Sequence, residues 1–345
     1  MKNFELYLPS FLIAFSLSVF FIFLIKNWII KANIDNLDQR KGDRHPHLSR
    51  ISRFGGLAIF LAFLSAVSLD KHLVITQDIS GLLFGGSLIF LLGLWDDMSE
   101  LDWKKQIFFQ VLAIGIIFAW GIKINYITNP WGDVFYFRDF PMILMGISIG
   151  LIWMLILINA MNWLDGIDGI SGGIFFIGFL TIFFLSLKPE VNQPPVGILS
   201  IALAGAVLGF LIFNFPPARI MAGSNGVFFL GFMLSGISIF AGTKIATTLL
   251  ILFIPMIDFF WVIGKRLKSG KSIFHPDREH LHHKLLDIGW SQKRINLFFY
   301  SITALVALVA LNISGSEKGI LVSFLIFGMF VFYCFINKKE KILHK

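Results

Sequence analysis

One cysteine, Cys334, stands in 345 residues, so no disulfide and no cysteine-based metal site can close within a single chain. Charge is also sparse. Asp, Glu, Lys and Arg make up 14% of the sequence against 56% hydrophobic residues, where a soluble domain carries about 25% charged residues. With a mean hydropathy of +0.79, that shortage excludes a surface that faces water on every side. No internal repeat, low-complexity tract or soluble domain interrupts the pattern. What the chain does have is long apolar runs rich in its 40 phenylalanines. Runs of about 18 or more such residues read as membrane-crossing helices, because about 20 residues span about 30 Å of hydrocarbon.

Eleven spans are expected, near residues 7–30, 54–69, 80–95, 105–121, 140–160, 170–187, 196–214, 226–241, 244–264, 296–314 and 318–337. The fold class is therefore all-α and polytopic, one transmembrane domain over residues 1–345. The first run is not followed by a small-residue cleavage site, and Lys31 to Arg53 reads as a retained cytoplasmic loop. Charge sets the orientation. The loops after odd-numbered spans, with the tail, hold 21 of the 29 lysines and arginines, so the positive-inside rule places the N-terminus outside, in the periplasm, and the C-terminus in the cytoplasm. The net charge of +8 is then a topology signal and an attraction to anionic lipid; nucleic acid need not be invoked. The aromatic stretch "NPWGDVFYFRDF" at 129–140 reads as an interfacial belt.

Four polar clusters stand out against this background: "GLWDDMSELDWKK" at 93–105, "NAMNWLDGIDG" at 159–169, "FNFPPARIMAGSNG" at 213–226 and "HPDREHLHHK" at 275–284. The topology puts all four on the cytoplasmic side, in loops over 93–106, 159–169, 214–226 and 265–295. Asp96 and Asp97 repel each other. They read either as a solvated helix end, where an acid offsets the dipole, or as a site for Mg²⁺, which takes one or two carboxylates together with phosphate oxygens. Asp165 and Asp168 could cap the next helix. Yet Asn159 and Asn162 precede them three apart on one helix face, which supplies neutral and charged oxygens for one hard cation. His280, His282 and His283 lie within seven residues of Arg278 and Lys284. A zinc site has no cysteine to help it here; a diphosphate held by charge-assisted hydrogen bonds suits the loop better, while a plain positive-inside loop would explain the lysines but not the clustered histidines.

At these residues the chain resembles the polyprenyl-phosphate N-acetylhexosamine-1-phosphate transferases, glycosyltransferase family 4, and within them the bacterial UDP-GlcNAc:undecaprenyl-phosphate branch. The likeness runs over nearly the whole chain, through "RFGGLAIF" at 53–60, "LGLWDD" at 92–97, "NAMNWLDGIDGISGG" at 159–173, "FNFPPARI" at 213–220, "FFLGF" at 228–232 and "HPDREHLHHKLL" at 275–286. It implies transfer of a sugar 1-phosphate from a UDP-sugar to undecaprenyl phosphate with release of UMP, initiating a cell-envelope glycan at the cytoplasmic face of a bacterial inner membrane. It further implies dependence on Mg²⁺, with Mn²⁺ a substitute, and leaves a homodimer open. By the resemblance Asp96, Asp97 and Asp168 are catalytic, one of the paired acids deprotonating or orienting the lipid phosphate. Asn162 joins Asp96 and Asp97 at the metal, and Asn159, Asp165, Arg278, His280, His282 and His283 bind substrate.

One position departs from the family pattern. After "FPPARI" relatives carry a Gly-Asp-x-Gly segment whose aspartate binds the metal, and here the run is "MAGSNG", with Ser224 in that place. A serine hydroxyl is a weaker, neutral ligand. Either another carboxylate compensates, or the metal is held less tightly, or the chain is a catalytically impaired relative that binds UDP-sugar or lipid phosphate as a regulator or scaffold. A transporter is the remaining rival, but transporters place their charged residues near the midplane, whereas these acids lie at span ends on one side.

Overall fold

The computed structural model of the protein describes residues 4–32, 51–128, 134–241, 245–273, 278–313 and 315–343. Residues 33–50 of the basic loop used to orient the chain, and His275 to Asp277 of the histidine motif, lie outside the described residues. The helices in chain order are α1 (Phe4–Ala32), α2 (Gly55–Leu69), α3 (Gln77–Ser99), α4 (Trp103–Ala119), α5 (Met142–Leu164), α6 (Ile170–Ser186) and α7 (Pro194–Asn214). They continue as α8 (Gly223–Phe240), α9 (Ile245–Ile251), α10 (Phe253–Lys268), α11 (Leu281–Asp287), α12 (Gln292–Asn312) and α13 (Gly315–Leu343).

Each expected apolar run contains a helix. Seven helices, α1, α3, α5, α7, α8, α12 and α13, are long and apolar enough to cross a membrane, and α9 with α10 makes an eighth if the bent pair is one span. The apolar helices α2 and α6 have only 15 and 17 residues, and 15 residues of helix rise only about 22 Å. The run expected as a continuous ninth span is broken: α9 and α10 meet at a bend of 78°. Pro255 causes it. In a straight helix its ring would strike the carbonyl of Ile251, and it has no N–H to give that carbonyl. In the first turn of a new helix neither fault matters, and the ladder restarts with the Met256 N–H on the Leu252 carbonyl at 2.9 Å. The stretch 265–295, expected as a loop, holds the end of α10 and all of α11. The described residues are mostly helical, in keeping with the all-α expectation, and one small antiparallel hairpin runs into the aromatic stretch, β1 (Tyr126–Thr128) on β2 (Val134–Tyr136), with Tyr126 opposite Tyr136.

The helices α7 and α8 form the centre. Both are apolar around the whole circumference and almost wholly buried, as a helix without a polar face must be. Against α7 pack α1 and α6, and against α8 pack α3 and α5. At one end of the bundle the starts of α2 and α8 and the end of α3 converge. The N–H groups of Gly55 and Gly56 donate to the carbonyls of Met221 and Ala222, each at 2.9 Å. A Cβ on Gly93 would stand 2.5 Å from the Asn225 Cα and 2.6 Å from the Ser224 carbonyl oxygen. Only glycine lets α3 come this close to the first turn of α8, and that approach delivers the next turn of α3, which carries Asp96 and Asp97.

Candidate active site

The two aspartates at the end of α3 have different partners. Asp97 caps a helix that is not its own. Its Oδ1 accepts the Ser224 N–H at 2.9 Å, and its Oδ2 accepts the Asn225 N–H at 2.9 Å and the Asn225 amide at 2.6 Å. Ala222, the residue before α8, makes no side-chain cap, so this carboxylate satisfies donors that the helix start leaves open and meets the positive end of its dipole. Asp96 is buried. Its Oδ1 accepts the Leu101 N–H and the Gln106 amide, both at 2.9 Å, and its Oδ2 accepts the Ser224 hydroxyl at 2.6 Å. Ser224 thus donates to both acids, through its hydroxyl to one and through its backbone to the other.

The 159–169 stretch turns the corner from α5 to α6 directly beside them. Asp165 ends α5, and its carboxylate accepts the Ser171 hydroxyl. Burial pushes Asp165 up to about 6; the Ser171 bond and Arg53 oppose this, while Asp97 and Asp168 add to it. Those couplings bring Arg53, Asp97, Asp165 and Asp168 into one electrostatic neighbourhood. Asp168 accepts the Ala218 N–H through Oδ2 at 3.0 Å, which ties the acidic loop to the "FPPARI" segment. Its Oδ1 is buried with no hydrogen-bond partner among the described residues. Gly169 follows in the left-handed region at φ +81°. The loop is pinned from outside by α12: the Asn296 amide donates to the Asp168 carbonyl at 2.7 Å, and the Tyr300 hydroxyl donates to the Gly169 carbonyl. Asn162 is half-buried on the last turn of α5. Asn159, a turn deeper, donates to Gln110 of α4 and to the Leu155 carbonyl, both at 2.8 Å.

The histidine helix closes over this corner. A Cβ on Gly166 would lie 2.2 Å from Nε2 of His282 and 3.1 Å from Nε2 of His283, so the glycine of the Asp-Gly pair makes room for the imidazoles. The rings run on from one another, with centroids 5.7 Å apart from His280 to His282 and 4.2 Å from His282 to His283. All three histidines are buried. Arg278 is not drawn in; it is exposed and pairs with Asp287 at 3.0 Å. Burial works against the charge of Glu279, yet Lys265 and Lys284 hold its carboxyl below the ordinary value.

The structure therefore gathers Asp96, Asp97, Asp165, Asp168, Ser224, His282 and His283 at one end of the bundle, from four separate sequence clusters. Sequence reading missed the groups around them: Arg53, Asn225, Asn296 and Tyr300, and Asp258 behind His280. A signal existed for two of these. Asn296 and Tyr300 lie four apart on one face of α12, with the buried Thr303 following on the same side. Among the described residues no three acids, histidines or cysteines are grouped so as to hold a metal ion between them; what the structure offers a hard cation is the charge that Asp97 and Asp168 exert on Asp165 and the unpartnered Oδ1 of Asp168. When bound, such an ion neutralises charge on phosphate oxygens.

A bundle of membrane-crossing helices with buried acids and imidazoles gathered at one end is a multi-pass membrane enzyme. Residues 79–242 match the model of the family described as glycosyl transferase family 4. The chain is 31% identical over 297 residues to the decaprenyl-phosphate N-acetylglucosaminephosphotransferase of Mycobacterium tuberculosis, covering 77% of this chain and 72% of that one. It is 28% identical over 328 residues to a probable undecaprenyl-phosphate N-acetylglucosaminyl 1-phosphate transferase of Bacillus subtilis, covering 93% and 89%. To the phospho-N-acetylmuramoyl-pentapeptide-transferase of Geobacillus kaustophilus it is 28% identical over 329 residues, covering 88% and 95%. The chain belongs to glycosyl transferase family 4, and it is a phosphotransferase.

Proposed function

We propose that the protein transfers an N-acetylhexosamine 1-phosphate, GlcNAc 1-phosphate foremost, from a UDP-sugar to undecaprenyl phosphate and releases UMP. An oxygen of the lipid phosphate attacks the sugar-linked phosphorus, the bond from that phosphorus to the UMP oxygen breaks, and a lipid-linked sugar diphosphate forms. The observation that carries this reading is the seating of His282 on Gly166 of the acidic loop, which places basic, anion-binding groups against carboxylates. Phosphoryl transfer needs little else than positioning and charge balance. On this reading the histidines bind the donor's diphosphate by charge-assisted hydrogen bonds, and Arg53 faces the acceptor phosphate. Asp165, pushed up to about 6, is matched to the second ionisation of a phosphate monoester near 6, so it can take the proton of an acceptor that arrives singly protonated. Asp97 and Asp168, with Asn162, would hold Mg²⁺.

The reading includes eleven spans with the N-terminus in the periplasm and the site on the cytoplasmic face of the inner membrane, where a soluble nucleotide sugar and a membrane-tethered phosphate meet. Incubating purified membranes with radiolabelled UDP-sugars and undecaprenyl phosphate, with Mg²⁺ or with EDTA, tests it. The expected result is a lipid-extractable labelled product and UMP, both dependent on Mg²⁺. Tight UDP-sugar binding without any product would favour the regulator or scaffold.

A further inference from the structure

Asp258 lies on α10 at 2% exposure, and no step described so far uses it. Its Oδ2 is 2.7 Å from Nδ1 of His280. Its Oδ1 accepts the Leu281 N–H at 2.7 Å and the hydroxyl of Tyr333 on α13. With Oδ1 accepting from the Leu281 N–H and the Tyr333 hydroxyl, a hydrogen on Nδ1 of His280 completes the contact at Oδ2 and leaves Nε2 as the nitrogen available to a ligand. The ring is also confined sideways. Trp163 meets it edge-on at 5.7 Å, and Trp163 is itself flanked by Phe259 at 4.5 Å and Arg266 at 4.6 Å. Tyr333 stacks on Trp261 at 4.6 Å.

We propose that Asp258 is a positioning residue for donor binding: it fixes the rotation and tautomer of His280 so that Nε2 is presented to the diphosphate of the nucleotide sugar, with Tyr333 of α13 holding the carboxylate in place. This rests on the donor-binding reading of the histidine helix. With Nδ1 held by the carboxylate, Nε2 faces the dianionic diphosphate and donates to it once that nitrogen carries a proton taken from water, the arrangement by which a buried acid orients a working histidine. A partner of this kind changes affinity by about 10- to 100-fold when it is lost.

The test is a double-mutant cycle on the purified full-length protein. Asp258→Asn raises the KM for UDP-sugar about tenfold or more while kcat changes much less, and in a His280→Ala background it raises KM no further. Tyr333→Phe keeps the ring on Trp261 and removes only the hydroxyl, so it gives a smaller rise, about two- to tenfold, and carries the same cycle if Asp258→Asn does not fold. In ¹⁵N-histidine-labelled protein, the Nδ1–H signal lost in His280→Ala moves in Asp258→Asn. Effects that add fully across the cycle, or an Nδ1 signal indifferent to residue 258, overturn the proposal. A wild-type protein that transfers from no UDP-sugar refutes the donor reading instead, and the nitrogen signals still decide whether Asp258 fixes the ring.

Discussion

Replacing Ser224 by aspartate tests whether the acidic cluster is built around a cation. The native hydroxyl donates to Oδ2 of Asp96 at 2.6 Å; Ser224→Asp removes that donor and sets a second carboxylate against the first. With the charges about 4 Å apart and an effective dielectric near 20, the repulsion is about 4 kcal/mol, and the lost hydrogen bond adds about 1 kcal/mol. Without a cation, the variant must lose stability or take up a proton. With Mg²⁺ present the sign reverses, because two close carboxylates are what that ion accepts. Thermal unfolding in detergent, in EDTA and across a Mg²⁺ titration, reads both limbs. The variant should melt below the native protein in EDTA and gain more from Mg²⁺, and transfer should reach half its maximal rate at lower Mg²⁺. Identical metal responses would show that residue 224 does not face the ion, and the assignment of this position to the metal site would fall. Transfer absent in the native protein and restored by Ser224→Asp would identify a naturally impaired relative.

Three further perturbations follow from the geometry. Asp165 is raised from 3.8 to about 6, so between those values the folded state holds a proton that the unfolded chain has released, and stability falls as pH rises through that window. In metal-free buffer Asp165→Asn should remove the slope and leave the protein more stable than native at pH 7; a slope that survives the substitution refutes the assignment. Gly93→Ala drives a methyl into the backbone of Asn225 and should cost about 1–3 kcal/mol of stability with loss of transfer, whereas Gly115→Ala, which meets nothing, should be silent in both assays. Asn296→Ala and Tyr300→Phe each release one carbonyl of the acidic loop, so each should lower stability by about 1 kcal/mol and reduce kcat more than KM in steady-state kinetics.

The seven helices long and apolar enough to cross a membrane were legible because their cause is local: about 20 apolar neighbours suffice to specify a span. The four acids were legible for the opposite reason, since a carboxylate in such a background is costly unless something balances it. What balances it was not. Asn225 lies 128 residues from Asp97, Asn296 lies 128 from Asp168, and Asp258 lies 22 from His280; no local pattern marks which residue each of them meets. Motif spacing also leaves a side chain's direction open. Arg278 and Asn159 stand inside their motifs, yet the structure finds them bonded to Asp287 and Gln110. The bend at Leu252 required weighing one proline against fifteen or more apolar neighbours, and a hydropathy window averages such a residue away.

Because Asp97 already serves as the cap of α8, a ligand that recruits it draws on the same carboxylate. Three N–H donors occupy Oδ2 and half of Oδ1, so a cation that binds the remaining lone pair weakens those bonds and one that takes both oxygens replaces them. Occupancy and the order of the first turn of α8 are therefore two readings of one equilibrium. The amides of Ser224 and Asn225 act as its gauge: shielded from hydrogen exchange while Asp97 holds them, and opened as the site fills.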